Sequence, residues 1–158
     1  MVIHHAAGER DSFWLYEALK AGGNANLMND IAVGSQKCRP LRFAINIGSL
    51  DNVILLVEYG ADIDEIDRHE ETPLTAAFRT TRFDIVLFLL NKGANYNMHV
   101  HESLSLIWYM RERLKGPPPK LKESQETFRA VYDWFLNQGM DVQSAKWDGK
   151  EWVFNREV

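Results

Sequence analysis

The sequence has little of what several large functional classes require. Its 158 residues include one cysteine, Cys38, so no internal disulfide can form. The longest apolar run, residues 85–90, is far shorter than the ~20 residues of a membrane-spanning helix, and residues 1–12 lack the apolar core of a secretory leader. A formal net charge of −4 argues against binding to nucleic-acid phosphates. We therefore expect a soluble, cytoplasmic protein with no nucleic-acid or membrane partner.

Catalytic motifs are also missing. We find no nucleophile elbow, phosphate-binding glycine loop, zinc-protease helix or dinucleotide fingerprint. Cys38 has no CxxC partner and no recognisable base. His99 and His101 are metal ligands by type, but only Glu102 accompanies them, so we expect them to be exposed and to contact a partner. The sequence predicts no enzyme activity, metal or cofactor. An undetected enzyme or metal protein is one alternative.

What the sequence does contain is a repeat of 33 residues. Pro40 and Pro73 each begin an apolar stretch with helical spacing, and Gly60 and Gly93 each follow the next such stretch. Proline is favoured at the first position of a helix, and glycine at the left-handed residue that ends one. The pattern predicts pairs of short helices, which can bury their apolar faces only by stacking on neighbouring pairs.

Residues 72–77 and 84–97 resemble the TPLHxA first helix and the GAdvN-ending second helix of the ankyrin repeat. The resemblance implies an all-α solenoid of helix-turn-helix units with β-turn fingers. We place four copies at about 2–34, 35–66, 67–97 and 98–143, the outer two degenerate. The resemblance also places His4 at or near the position of the histidine in the TPLH motif, which in that family hydrogen-bonds within the repeat. Residues 144–158 form a capping tail, in which Asp148-Gly149 predicts a hairpin turn. Glu70 and Thr81 stand where the family often has glycine, so we expect a different finger turn near Glu70.

Two segments carry opposite charge. Residues 58–71, called here the acidic segment, hold seven acidic residues and Arg68, a net charge of −6. Residues 111–122, which include three consecutive prolines, carry +4 and should form a protruding loop. In the resembled family, fingers and first helices form a concave binding face. An acidic face would speed encounter with a partner that has a basic surface.

Aromatic residues divide between core and candidate interface. We predict that Trp14 and Trp134, which lie among apolar neighbours, are core residues. Trp108 and Tyr109 lie near the end of a first helix and are residue types that dominate interface energies. With the contact positions of the resembled family, they give this candidate partner-binding set: Asp64, Glu65, Arg68, His69, Glu71, Arg79, Met98, His99, His101, Trp108 and Tyr109.

The sequence thus predicts a non-enzymatic protein-binding module, monomeric when free, which recognises its partner through a concave acid-rich face. A sharper hypothesis is an immunity protein that neutralises a cognate bacterial toxin. The alternative is an adaptor or host-targeting factor, with the stack as docking platform and the basic segment as a second site. Deletion of residues 116–120 would distinguish the two hypotheses.

Overall fold

The computed structural model describes residues 2–9, 11–28, 39–67, 70–97, 106–116, 120, 122–144, 146–147 and 152–153. These residues form eight helices and two short strands. The helices are α1 (Val2–Ala7), α2 (Phe13–Lys20), α3 (Pro40–Ile47), α4 (Leu50–Glu58), α5 (Pro73–Arg79), α6 (Phe83–Asn91), α7 (Leu106–Lys115) and α8 (Lys122–Asn137). The strands are β1 (Lys146–Trp147) and β2 (Trp152–Val153).

Two of the first helices begin at a proline, and α5 also has a side-chain cap. Pro40 and Pro73 occupy the first turns of α3 and α5. At the start of α5, the Thr72 hydroxyl accepts a hydrogen bond from the Thr75 N–H, and the Thr75 hydroxyl accepts one from the Thr72 N–H. This reciprocal capping satisfies two backbone donors that would otherwise be buried without a partner.

The helices pack in two layers. The first helices (α1, α3, α5 and α7) follow one another in one layer, and the second helices (α2, α4, α6 and α8) form the other. The pairs α1–α2, α3–α4 and α5–α6 also pack internally, so one apolar core runs the length of the stack. All eight helices contribute buried side chains to it, among them Ala7, Leu15, Ile45, Leu56, Leu74, Ile85, Ile107 and Phe135. The predicted all-α solenoid is confirmed, while the exact boundaries of the four copies stay a prediction.

All four second helices end in the same turn. Each is followed by a glycine with φ between 74° and 90°, a conformation that costs glycine little. Two residues later, the side chain of an asparagine or aspartate accepts a hydrogen bond from the backbone N–H two positions further on, at 2.8–3.0 Å. These acceptor–donor pairs are Asn24–Asn26, Asp62–Asp64, Asn95–Asn97 and Asp141–Gln143.

Side chains also join one turn to the next. Asn26 accepts a hydrogen bond from the Asp62 N–H and donates one to the Gly60 carbonyl, both at 2.8 Å. One repeat later, Asp64 accepts from the Asn95 N–H, also at 2.8 Å. The equivalent oxygen of Asn97 is buried and has no hydrogen-bond partner in the described part of the chain. The junction with the fourth pair therefore lacks the contact that joins the earlier pairs.

One core prediction is wrong. The Trp14 side chain is 64% exposed, because α2 turns Leu15 and Leu19 into the core and Trp14 lies on another side of the helix. Trp134 is half-buried, packed against the core and edge-on to Tyr96.

Two features near the end of the described chain bear on the sequence analysis, while the predicted protruding loop stays a prediction. α7 ends at Lys115 and α8 begins at Lys122, so the proline-containing segment interrupts the helices. β1 and β2 pair antiparallel, with Lys146 opposite Val153 and Trp147 opposite Trp152. The prolines themselves, the predicted turn at Asp148 and Gly149, and Cys38 lie outside the described residues. In the described ranges, no helix has both the length and the apolar character needed to cross a membrane.

Candidate protein-binding face

The most connected side chain on the face of the first helices is Glu71, the residue before the capping threonine of α5. Its side chain is only 8% exposed and pairs with two arginines. Arg42 Nη2, from α3, lies 2.5 Å from Glu71 Oε2, and Arg79 Nε, from α5, lies 2.9 Å from Glu71 Oε1. Each carboxylate oxygen thus binds an arginine from a different helix pair, and the two pairs are tied together.

Asp67 and Tyr109 extend this arrangement. Asp67 Oδ2 lies 3.3 Å from Arg42 Nη2, and the Asp67 carboxylate accepts a hydrogen bond from the Glu71 N–H at 3.1 Å. The Tyr109 side chain, from α7, lies close enough to the Glu71 carboxylate for its charge to act on the phenol group. Burial raises the pKa of Tyr109, and the negative charge of Glu71 raises it further. We call Arg42, Asp67, Glu71, Arg79 and Tyr109 the Glu71 cluster.

The cluster has two properties that matter for recognition. It contains two negative and two positive charges, so it is electrically balanced. It also connects α3, the acidic segment, α5 and α7, which belong to three successive helix pairs. Arg42 is 13% exposed and held inside, whereas Arg79 is 47% exposed and presents part of its guanidinium side chain to solvent. The buried members therefore orient an exposed one.

Glu65 is paired in a similar way. Arg39 Nε lies 2.7 Å from Glu65 Oε1, and both side chains are mostly buried. Burial raises the pKa of the Glu65 carboxyl, while the positive charge of Arg39 acts in the opposite direction. Three arginines from outside the acidic segment (Arg39, Arg42 and Arg79) thus bind its carboxylates, and the local net charge falls from −6 to −3.

The backbone at Glu70 has a conformation that is typical of glycine. Glu70 has φ 61°, and its N–H donates to the Asp67 carbonyl at 2.9 Å. Thr81 has φ 58° after α5. Both residues stand where the sequence departs from the glycine of the ankyrin pattern, and both adopt the left-handed conformation that glycine favours. Glu70 and Thr81 therefore carry backbone strain that glycine would avoid. Residues 68 and 69 lie outside the described residues, so the expected change of turn near Glu70 stays a prediction.

Comparison with known proteins decides the family. Residues 3–99 match the model of ankyrin repeats in three copies. The chain belongs to the ankyrin-repeat family. It is also similar to the B-cell lymphoma 3 protein homolog of Mus musculus, with 37% identity over 68 residues. That alignment covers 42% of this chain and 15% of the mouse protein, so the chain spans only a small part of this relative.

Ankyrin repeats are protein-protein interaction modules, and proteins built from them are generally non-enzymatic. The family match ends at residue 99, so α7 and α8 extend the stack beyond it. In the described part of the chain, no group of three or more histidine, cysteine, aspartate or glutamate side chains is arranged to hold a metal ion. The described members of the predicted contact set lie on the first helices of the ankyrin stack and in the segment before α5.

The ankyrin fold brings together part of the predicted set. Glu71, Arg79 and Tyr109 meet in the Glu71 cluster, and Trp108 is half-buried and packs edge-on against Tyr109 with ring centres 5.2 Å apart. Glu65 pairs with Arg39 nearby, and Asp64 is engaged in the turn bond to Asn95. The other predicted contacts lie outside the described residues: Arg68, His69, Met98, His99 and His101.

Sequence reasoning missed Arg39 and Arg42, which hold the carboxylates. Arg42 precedes Glu71 by 29 positions and lies in the preceding helix pair. A signal was present, because Arg39 and Arg42 flank Pro40 at the start of a first helix, a place that lies beside the next finger once ankyrin units stack. The net charge of −6 covers the acidic segment alone and leaves out the arginines of the neighbouring helix pair.

Proposed function

We propose that this chain binds a partner protein through the face formed by its first helices and the acidic segment. The observation that carries the proposal is the Glu71 cluster, in which a nearly buried carboxylate binds Arg79 and lies near Tyr109 of the next helix pair. Residues fixed before binding lose little conformational freedom when a partner docks. Arginine, tyrosine and tryptophan are also the side chains that most often dominate binding energy.

The partner we propose has a basic surface. After pairing with the three arginines, the acidic segment retains a net charge of −3. Asp62 and Glu70 are exposed on it. A negative surface of this kind attracts a positive one during encounter and discourages acidic competitors. The same proposed set includes five residues that lie outside the described ranges: Arg68, His69, Met98, His99 and His101.

A sharper version concerns the kind of partner. We infer that the chain acts as an immunity protein, monomeric when free, which neutralises a cognate bacterial toxin in the cytoplasm by covering its functional surface. A preorganised face suits this task, because an inhibitor must bind tightly and stay bound. In this proposal four repeats, at about 2–34, 35–66, 67–97 and 98–143, form the binding stack, and the tail caps its end.

The binding face is tested with matched arginine variants. A partner is first identified by affinity purification and mass spectrometry, and its affinity is then measured for wild type, Arg79→Ala and Arg129→Ala. Arg129 is 80% exposed on α8, away from the proposed face. We expect Arg79→Ala to weaken binding by about tenfold or more, as for an interface hot spot, and Arg129→Ala to leave it unchanged. Equal affinities for all three proteins would refute the proposed face.

The toxin version needs a separate measurement. If the identified partner is toxic, bacteria that express its gene should stop growing, and co-expression of this chain should restore their growth. The Arg79→Ala variant should restore growth less well. A partner that binds at this face without toxicity would refute the immunity role and leave the binding face supported. Deletion of residues 116–120 adds a further distinction: an inhibitor that uses only this face keeps its affinity.

A further inference from the structure

A second surface lies at the N-terminal end of the stack, on α1 and α2. A groove of about 720 Å³ runs between α1 and the beginning of α2. This volume is large enough for one or more side chains of a ligand. Ala6, Trp14 and Ala18 give it apolar surface, and three carboxylate residues also line it: Glu9, Asp11 and Glu17.

The aromatic residues at this groove are not used by the core. Trp14 is 64% exposed and its neighbour Phe13 is 54% exposed, whereas α2 buries Leu15 and Leu19. The Phe13 and Trp14 rings pack edge-on, with centres 5.2 Å apart. Together the two rings form an exposed aromatic surface at and beside the groove.

The charge of the groove selects among ligands. Its three carboxylates face one histidine, His5, whose Nε2 lies 3.5 Å from Glu9 Oε1; Arg10 lies outside the described residues. Aromatic faces attract cations. One such contact exists on the same helix, where the Lys20 ammonium lies 5.4 Å from the centre of the Tyr16 ring. A ligand with a cation on an apolar stem therefore matches both the charge and the surface of the groove.

Arginine fits this description better than lysine. Its planar guanidinium can stack on an indole ring while it hydrogen-bonds to a carboxylate, and its methylene stem covers apolar surface. We propose that the groove binds an arginine-bearing segment of a partner protein. This surface is separate from Arg79 and Tyr109, so it stands or falls independently of the face proposed above.

The experiment uses the full chain and two defined peptides. Acetyl-Gly-Arg-Leu-Arg-Gly-amide and its glutamate counterpart are titrated into isotope-labelled protein, and the indole N–H signal of Trp14, assigned with Trp14→Phe, is followed by NMR. We expect the arginine peptide to shift this signal and to saturate with a dissociation constant of about 1 mM or lower. The glutamate peptide should leave the signal unchanged.

Carboxylate variants then test the charge. A triple variant should weaken binding of the arginine peptide by about tenfold; it combines Glu9→Gln, Asp11→Asn and Glu17→Gln. Asparagine at position 11 keeps the side-chain oxygen that accepts the Phe13 N–H at 2.9 Å, so the start of α2 is preserved. The matched control combines Asp51→Asn, Glu123→Gln and Glu126→Gln, which remove the same charge from exposed positions outside the groove and outside the acidic segment. The control should bind like wild type.

Three results would overturn the proposal. The first is no shift of the Trp14 signal at about 10 mM arginine peptide. The second is equal binding of both peptides, or an equal loss in the groove and control variants. The third is a shift of the α2 NMR signals that depends on protein concentration in the absence of peptide and that disappears in Trp14→Ala. This result would indicate that the groove holds a second copy of the chain.

Discussion

Replacement of Glu71 by glutamine is the most direct test of the cluster that ties the repeats together. The substitution keeps the size of the side chain and one hydrogen-bonding oxygen but removes the charge that binds Arg42 and Arg79. Arg42 is 13% exposed, so its guanidinium cannot be fully rehydrated. We expect the variant to fold with reduced stability, because a nearly buried arginine loses most of its compensation.

The size of the loss follows from the two pairs taken separately. Removal of one partner from a buried ion pair costs about 3–5 kcal/mol. Arg42 retains Asp67, whose Oδ2 lies 3.3 Å away, so we place its share below this range, at about 2 kcal/mol. The bond to Arg79 contributes under about 1 kcal/mol, since Arg79 is 47% exposed and screened by water. The total is about 2–3 kcal/mol, or a fall in Tm of roughly 5–10 °C for a chain of this size.

Urea denaturation of wild type, Glu71→Gln and Glu70→Gln measures this loss. Glu70 is the adjacent residue and is exposed, so its variant removes the same charge at little cost, within about 0.5 kcal/mol. Arg42→Met and Arg79→Met complete two double-mutant cycles. We expect a coupling energy with Glu71 of about 2 kcal/mol for Arg42 and under 1 kcal/mol for Arg79. A loss for Glu71→Gln no larger than that for Glu70→Gln would refute the reasoning.

Two further predictions concern backbone strain and pH. Thr81 is β-branched and has φ 58°, so Thr81→Gly should raise the free energy of unfolding by about 1 kcal/mol. Thr81→Ala should raise it less. A lower free energy of unfolding for the glycine variant would contradict the assigned strain. Burial, followed by the charge of Glu71, raises the pKa of Tyr109 in the folded chain. The stabilising contribution of the protonated Tyr109 phenol is therefore complete below the unfolded-state pKa of about 10. This contribution is lost as the pH rises through the folded-state pKa. The difference in unfolding free energy between wild type and Tyr109→Phe should therefore decrease between about pH 9 and 11 in urea titrations, and a constant difference would contradict it.

The helices could be predicted from sequence because their signals are local. The capping pair Thr72 and Thr75 and the first-turn Pro73 lie within four residues, and Gly93 directly follows the end of its helix. The positions of Glu70 and Thr81 carried a conflicting signal, since neither is glycine. The structure resolves the conflict in favour of the repeat, because contacts on both sides of these residues hold the backbone in place.

Burial of Trp14 could not be predicted in the same way. The apolar spacing of α2 does not say which of its sides is covered, because this depends on the helices that pack against it. Among the described elements, α2 packs on α1 and α4, and these contacts cover Leu15 and Leu19 but leave Trp14 in solvent. An aromatic residue in an apolar helix is thus evidence for a core only when neighbours exist on both sides.

The Glu71 cluster changes how charge on this protein is to be understood. A stretch with seven carboxylates is not a surface with seven free charges, since Glu65, Asp67 and Glu71 are bound by arginines from neighbouring helices. Reversal of Glu71 to lysine would therefore place three positive charges together at a nearly buried site, and any loss of binding would follow from loss of the fold. Arg79 and Glu70 are exposed members of the same region, so substitutions there test recognition with far less damage to the stack. Specificity on this face thus depends on where the unpaired charges point as well as on how many there are.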